Sequence, residues 1–123
     1  MKRTVKFFWA TLIVGIISAT VASAETITGE LIDTACFVKM GAKGQNHKDC
    51  AIECAKNGIP VGILDESSGE AYTLAISATP LADYAASRAR VTGKVSGHLI
   101  VPEKLEVEKD GSFQEVALPK NMM

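Results

Sequence analysis

Hydrophobic and polar positions alternate along Glu25–Ile32, where Ile27, Gly29 and Leu31 interleave with polar neighbours. That period of two predicts a half-buried strand. The polar, glycine-containing run 39–46 predicts a loop. From His47 to Asn57 the composition turns helical around Ala51, Ile52 and Ala55, and Asn57-Gly58 followed by Pro60 supplies the stop. Pro60–Leu64 and Glu70–Ser77 predict two strands paired across the turn Asp65–Gly69. Thr79-Pro80 predicts a helix start, with a hydroxyl at N-cap and a proline at N1, opening a short helix Pro80–Ser87. Arg90–Val95 and Leu99–Glu108 predict strands on either side of Ser96-Gly97. Asp110-Gly111 is a hairpin signal leading into a further strand, Phe113–Leu118.

The predicted order is strand, helix-bearing insertion, strand, strand, short helix, strand, strand. This is the order of a mainly β fold, a five-stranded Greek-key β-barrel of the OB type. The cysteine-bearing helical insertion follows strand 1, and the short helix lies between strands 3 and 4. Gly29 and Gly93 fall inside strand patterns, where glycine marks the bulges and bends that a small barrel needs to close. A plain sandwich is the alternative.

The first 24 residues read as a signal peptide rather than as part of the fold. Lys2, Arg3 and Lys6 precede the mainly apolar stretch Phe7–Val21, and Ala22-Ser23-Ala24 is a small-x-small cleavage pattern. Fifteen residues fall short of the roughly 20 that span a bilayer as a helix. The expectation is therefore a periplasmic or secreted protein without stable membrane insertion after cleavage. Residues 25–123 would form a single OB-like domain. All 14 acidic residues lie in that part, against ten basic ones (13 less Lys2, Arg3 and Lys6), for a net charge of −4. Its only aromatic side chains are Phe37, Tyr72, Tyr84 and Phe113. Nucleic-acid binding by a barrel needs a basic groove with stacking aromatics, so this composition excludes nucleic acid as the expected partner.

The chemistry is concentrated in 19 residues. Cys36, Cys50 and Cys54 have the spacing C-x13-C-x3-C, and His47 extends the helix to H-x2-C-x3-C. Cys50 and Cys54 are i and i+4 and share a helix face. His47 projects in a similar direction, but about 10.5 Å of helical rise separates it from Cys54. A single metal reaches both only if His47 leaves the helix. The cap is open between Asn46, which places Asp49 at N3, and Asp49, which places Cys50 at N1 beside the helix dipole.

Three readings follow from the cluster. Thiolates with one imidazole suit a soft transition metal such as Cu(I) or Zn(II), held by Cys36, His47, Cys50 and Cys54, with Met40 able to lend a thioether to copper. Asp33 would stand behind them, orienting His47; an Asx-turn at the strand end is its plainer role. A disulfide from Cys36 to Cys50 or Cys54 would instead staple a protein- or ligand-interaction domain without metal. It leaves one thiol unexplained. A thiol-redox role for Cys50 or Cys54 is the third, in a CxxxC spacing that lacks the thioredoxin setting. No carboxylate pair, Ser/His/Asp set or phosphate-binding glycine loop marks a catalytic or cofactor site. His98 reads as a solvated turn residue. Arg88 and Arg90 read as capping the helix-to-strand turn or meeting Asp83.

The residues Gly29-x3-Asp33-x2-Cys36, then His47-x2-Cys50-x3-Cys54-x3-Gly58, and Val91-Thr-Gly93 carry a resemblance. Over residues 25–110 the chain resembles an uncharacterised family of small exported bacterial OB-like domains with a Gly-x3-Asp-x2-Cys / Cys-x3-Cys motif. The resemblance implies an exported barrel with Asp33, Cys36, His47, Cys50, Cys54 and Gly58 as motif residues. It implies no activity.

Overall fold

A computed structural model describes residues 23–119. Nearly all of the expected signal peptide, residues 1–24, lies outside the described residues. Among these residues six strands form one antiparallel sheet with a single parallel closure: β1 (Glu25–Asp33), β2 (Val61–Asp65), β3 (Ala71–Leu74), β4 (Arg88–Ser96), β5 (Leu99–Lys109) and β6 (Ser112–Val116). Their order is β3-β2-β1-β4-β5-β6, and β3 also pairs with β5. Thr73 lies opposite Leu99 and Leu74 opposite Ile100 in that parallel contact. The N–H groups of Thr73 and Ala75 close the barrel by donating to the carbonyls of His98 and Ile100, each at 2.8 Å. The result is the five-stranded barrel expected from the strand order. The sixth strand continues the sheet from β5.

The period-two pattern becomes the barrel interior. Leu31, Ile63, Leu74, Val91, Ile100 and Leu105 are fully buried. Leu81, from the segment between β3 and β4, is fully buried in the same core. Two glycines allow the strands to approach. β1 passes from β4 to β2 at Gly29, which faces both Ala89 and Asp65. A Cβ there would run into the Leu64 carbonyl. The register of β4 against β5 shifts between Thr92 and Gly93, and a Cβ at Gly93 would run into the Val101 carbonyl and Pro102. The expected bend is a bulge at that residue.

The connection between β3 and β4 differs in detail from the expected helix Pro80–Ser87. It is a 3₁₀ turn, Thr79–Tyr84, with Ala78 rather than Thr79 at the cap and no side-chain capping bond. Ala85 is already extended, and the Ala86 N–H is taken by the Leu31 carbonyl at 2.9 Å. The return bond, Leu31 N–H to the Ser87 carbonyl, is also 2.9 Å. Pairing with β1 thus claims the backbone groups that another helical turn would need.

The insertion after β1 contains two helices where one was expected. α1 (Thr34–Met40) and α2 (Lys48–Lys56) are joined through a 3₁₀ turn, Gln45–His47. The anticipated loop is therefore shorter, because α1 runs to Met40 before Gly41 ends it in the left-handed conformation. Ala51 and Ala55 are the buried face of α2, which packs on the 3₁₀ turn Thr79–Tyr84 and on β1. Among the described residues no helix is long and apolar enough to cross a membrane.

Candidate metal centre

The site is assembled where β1 becomes α1. Asp33 is the last residue of β1, paired with Val61 of β2, and is also the N-cap of α1. Its Oδ1 accepts the N–H groups of Ala35 at 2.9 Å and Cys36 at 3.3 Å. These bonds fix the carboxylate and satisfy two of the helix's free donors. Asp33 is the one polar residue among the described residues that is buried, at 3 % exposure. Cys36, in the first turn of α1, stands over its cap.

Two other segments close on this corner. Gly58 follows α2 with φ 85°. Its N–H donates to the Ala55 carbonyl and that of Ile59 to the Cys54 carbonyl, both at 3.0 Å, a Schellman ending. The chain then turns through Pro60, whose carbonyl accepts the Thr34 hydroxyl at 2.7 Å, into β2 beside Asp33. The end of α2, with Cys54, is thereby set against the start of α1. On the other side, Gln45 Nε2 donates to the Ala86 carbonyl at 2.9 Å and the Gly44 N–H donates to Glu30. These bonds hold the loop down and place His47 against Asp33.

His47 occupies the cap position of α2 with φ −105° and ψ 0°, outside the regular helix. Neither Asn46 nor Asp49 is the cap, and Cys50 is the third helical residue rather than the first. Leaving the helix brings the imidazole to the thiols. Candidate ligand atoms of Cys36, His47 and Cys50 all lie within 4.8 Å of one another. A second set, Asp33, Cys36 and Cys54, meets the same distance. The separation of His47 from Cys54 expected from helical rise is respected, because the two belong to different sets. Cys36 belongs to both.

Polar satisfaction is incomplete here. His47 Nε2 stands 3.8 Å from Asp33 Oδ2, too far for a hydrogen bond, and both atoms are buried without a partner. Burial works to raise the Asp33 pKa, but the nearby Cys54 and Cys36 thiols and the N–H groups of Cys36 and Ala35 outweigh it and hold the carboxyl below its usual range. The same proximity to Asp33, aided by desolvation and by Cys50, pushes the Cys36 thiol up and the Cys54 thiol up to about 12. The raised Cys54 value opposes a nucleophilic role for that thiol. The structure does not support the disulfide reading: Cys36, Cys50 and Cys54 are all free, and no two of them lie at disulfide distance.

The remaining candidates fall elsewhere. Met40 ends α1 at 64 % exposure. His98 is exposed in the β4–β5 turn, with its ring 5.8 Å from that of Tyr72. Arg88 pairs with Glu66 at 2.7 Å and Glu108 at 3.3 Å, and Arg90 with Glu106 at 2.8 Å, so the expected partner Asp83 is not theirs. Both guanidiniums also stack over Phe113. An open groove of about 480 Å³ runs past Phe37, Lys43, Leu64 and Arg88, and none of the three cysteines lines it. The crevice at Asp33, His47 and Ala51 has no space for a water-sized molecule.

No family model matches the chain, and no curated protein or solved structure matches it. The barrel and its Cys/His cluster, whose geometry can hold a metal, are the functional features on which a reading rests.

Proposed function

We propose that the protein binds and passes on a soft transition metal ion, Zn(II) or Cu(I), at Cys36, His47 and Cys50. The observation that carries this reading is the convergence of two sulfurs and an imidazole nitrogen within 4.8 Å, Cys36 from α1 and His47 with Cys50 from the start of α2. Bonds of about 2.3 Å to sulfur and 2.0–2.1 Å to nitrogen need only a small contraction of that cluster. Two thiolates and one imidazole form a donor set that hard cations such as Mg(II) do not favour. The buried, unbonded His47 Nε2 is an atom that a cation would satisfy.

Three protein donors leave a coordination position open, and Cys50 is exposed, so an incoming ligand can reach the ion. The crevice at Asp33, His47 and Ala51 has no space for an organic substrate. Those features favour a carrier over an enzyme. The N-terminal charge, apolar run and Ala22-Ser23-Ala24 pattern support an exported, periplasmic setting for this carrier. There a bound ion would also guard the thiols against oxidation.

Competition against a chromophoric chelator, with Zn(II) and Cu(I) in turn on reduced protein, tests the reading. Tight binding by the wild type is expected. Cys50→Ser and His47→Ala should each weaken it by more than the roughly 10–100-fold lost when a supporting contact is removed. Equal affinity in wild type and both variants would contradict it.

A further inference from the structure

The second donor set has no part in the carrier centre as described. We infer that the cluster holds two metal ions, with the Cys36 sulfur bridging them. The outer ion takes Cys36, His47 and Cys50, and the inner ion takes Asp33, Cys36 and Cys54. This inference rests on the reading of the cluster as a soft-metal site.

Three observations support a pair. Each set is by itself a complete group of three donors within 4.8 Å, and the two sets share a single residue. His47 and Cys54 lie at opposite ends of α2, too far apart along the helix for one ion to take every donor. Asp33 supplies the independent sign of a second cation. Its side chain is 99 % buried, Oδ1 is locked by two backbone N–H groups, and Oδ2 lies in the cluster without a partner. A buried carboxylate oxygen left unpaired is costly, and a metal ion at that point removes the cost.

Charge decides the kind of ion. Three thiolates and one carboxylate carry four negative charges, which two divalent ions neutralise. One divalent ion, or two Cu(I), would leave two uncompensated. The inner set also includes a carboxylate oxygen, a ligand that zinc accepts and Cu(I) disfavours. The pair is therefore Zn(II). On filling, three S–H bonds break, three protons pass to solvent and no electron is transferred.

Zinc titration of the reduced full-length chain, read by chelator competition and native mass spectrometry, tests the pair. Two ions per chain are expected in the wild type. One should remain in Cys54→Ser and one in Asp33→Asn, a variant that keeps a capping oxygen for α1. Circular dichroism on each variant checks that the barrel is retained. One ion in the wild type, still held by Cys54→Ser, would overturn the pair and leave the outer centre standing. Two ions retained by Cys54→Ser would overturn the inner ligand set. A wild type that binds no zinc would overturn both the pair and the carrier reading for zinc.

Discussion

Asp33 Oδ2 and His47 Nε2 face each other at 3.8 Å inside the protein, and neither makes a hydrogen bond. The carboxylate arrives there as the end of a barrel strand and the imidazole as the end of a 3₁₀ turn. Burial of two unsatisfied polar atoms opposes folding by roughly 1–3 kcal/mol each. A barrel with a well-filled core tolerates that cost, and a bound cation would remove it.

The two oxygens of Asp33 have separable duties. Without metal, Asp33→Ala should be less stable than Asp33→Asn by about 1 kcal/mol, because both remove the unpaired carboxylate oxygen and only Asn keeps an oxygen to cap α1. With zinc added, both variants should gain less in thermal midpoint than the wild type. Urea unfolding and thermal melts, each with and without zinc, check the two effects. Equal stability of the Ala and Asn variants without metal would contradict the capping role.

At Gly93 the close approach of β4 to β5 leaves no room for a side chain. Gly93→Ala would set a Cβ against the Val101 carbonyl and Pro102, backbone that cannot swing aside. The expected loss is about 1–3 kcal/mol in urea unfolding. A neutral result would contradict the bulge.

Acid should loosen the strand face that Arg90 and Glu106 share. Hydrogen bonding from Arg90, helped by Lys104 against some desolvation, lowers the Glu106 pKa to about 2. A depressed folded-state value means stability that is present above the unfolded carboxyl value, near 4.3, and is lost as pH falls toward 2. Asp33, also depressed, acts in the same direction. Glu106→Gln should therefore be less stable than wild type at pH 6 and should lose less on going to pH 2.5. Parallel pH–stability curves for the two proteins would contradict this.

Much of the barrel was legible because a strand's side-chain period is short and local. Ile27, Leu31, Val91, Leu105 and the glycines at 29 and 93 declare their places in the sequence. The short helix between β3 and β4 is legible in Thr79-Pro80, but its length is not, because the bonds between Leu31 and residues 86–87, which end it, are long-range. α1 was missed since Phe37 and Val38 are weak helix formers. Asp33 before the segment and Gly41 after it were the readable cap and stop. At the site, the spacing marked the cysteines and flagged the distance between His47 and Cys54. It could not show that the chain divides its donors into two sets around Cys36, because that depends on how Pro60 and Gly44 return to the barrel.

The central claim is that sulfur and imidazole from this corner share a metal. X-ray absorption at the zinc edge, on reduced zinc-loaded protein, tests it most directly. About two sulfurs per zinc near 2.3 Å, nitrogen or oxygen near 2.0–2.1 Å, and imidazole scattering that disappears in His47→Ala are expected. A shell of oxygen and nitrogen alone, unchanged by Cys36→Ser, would contradict it.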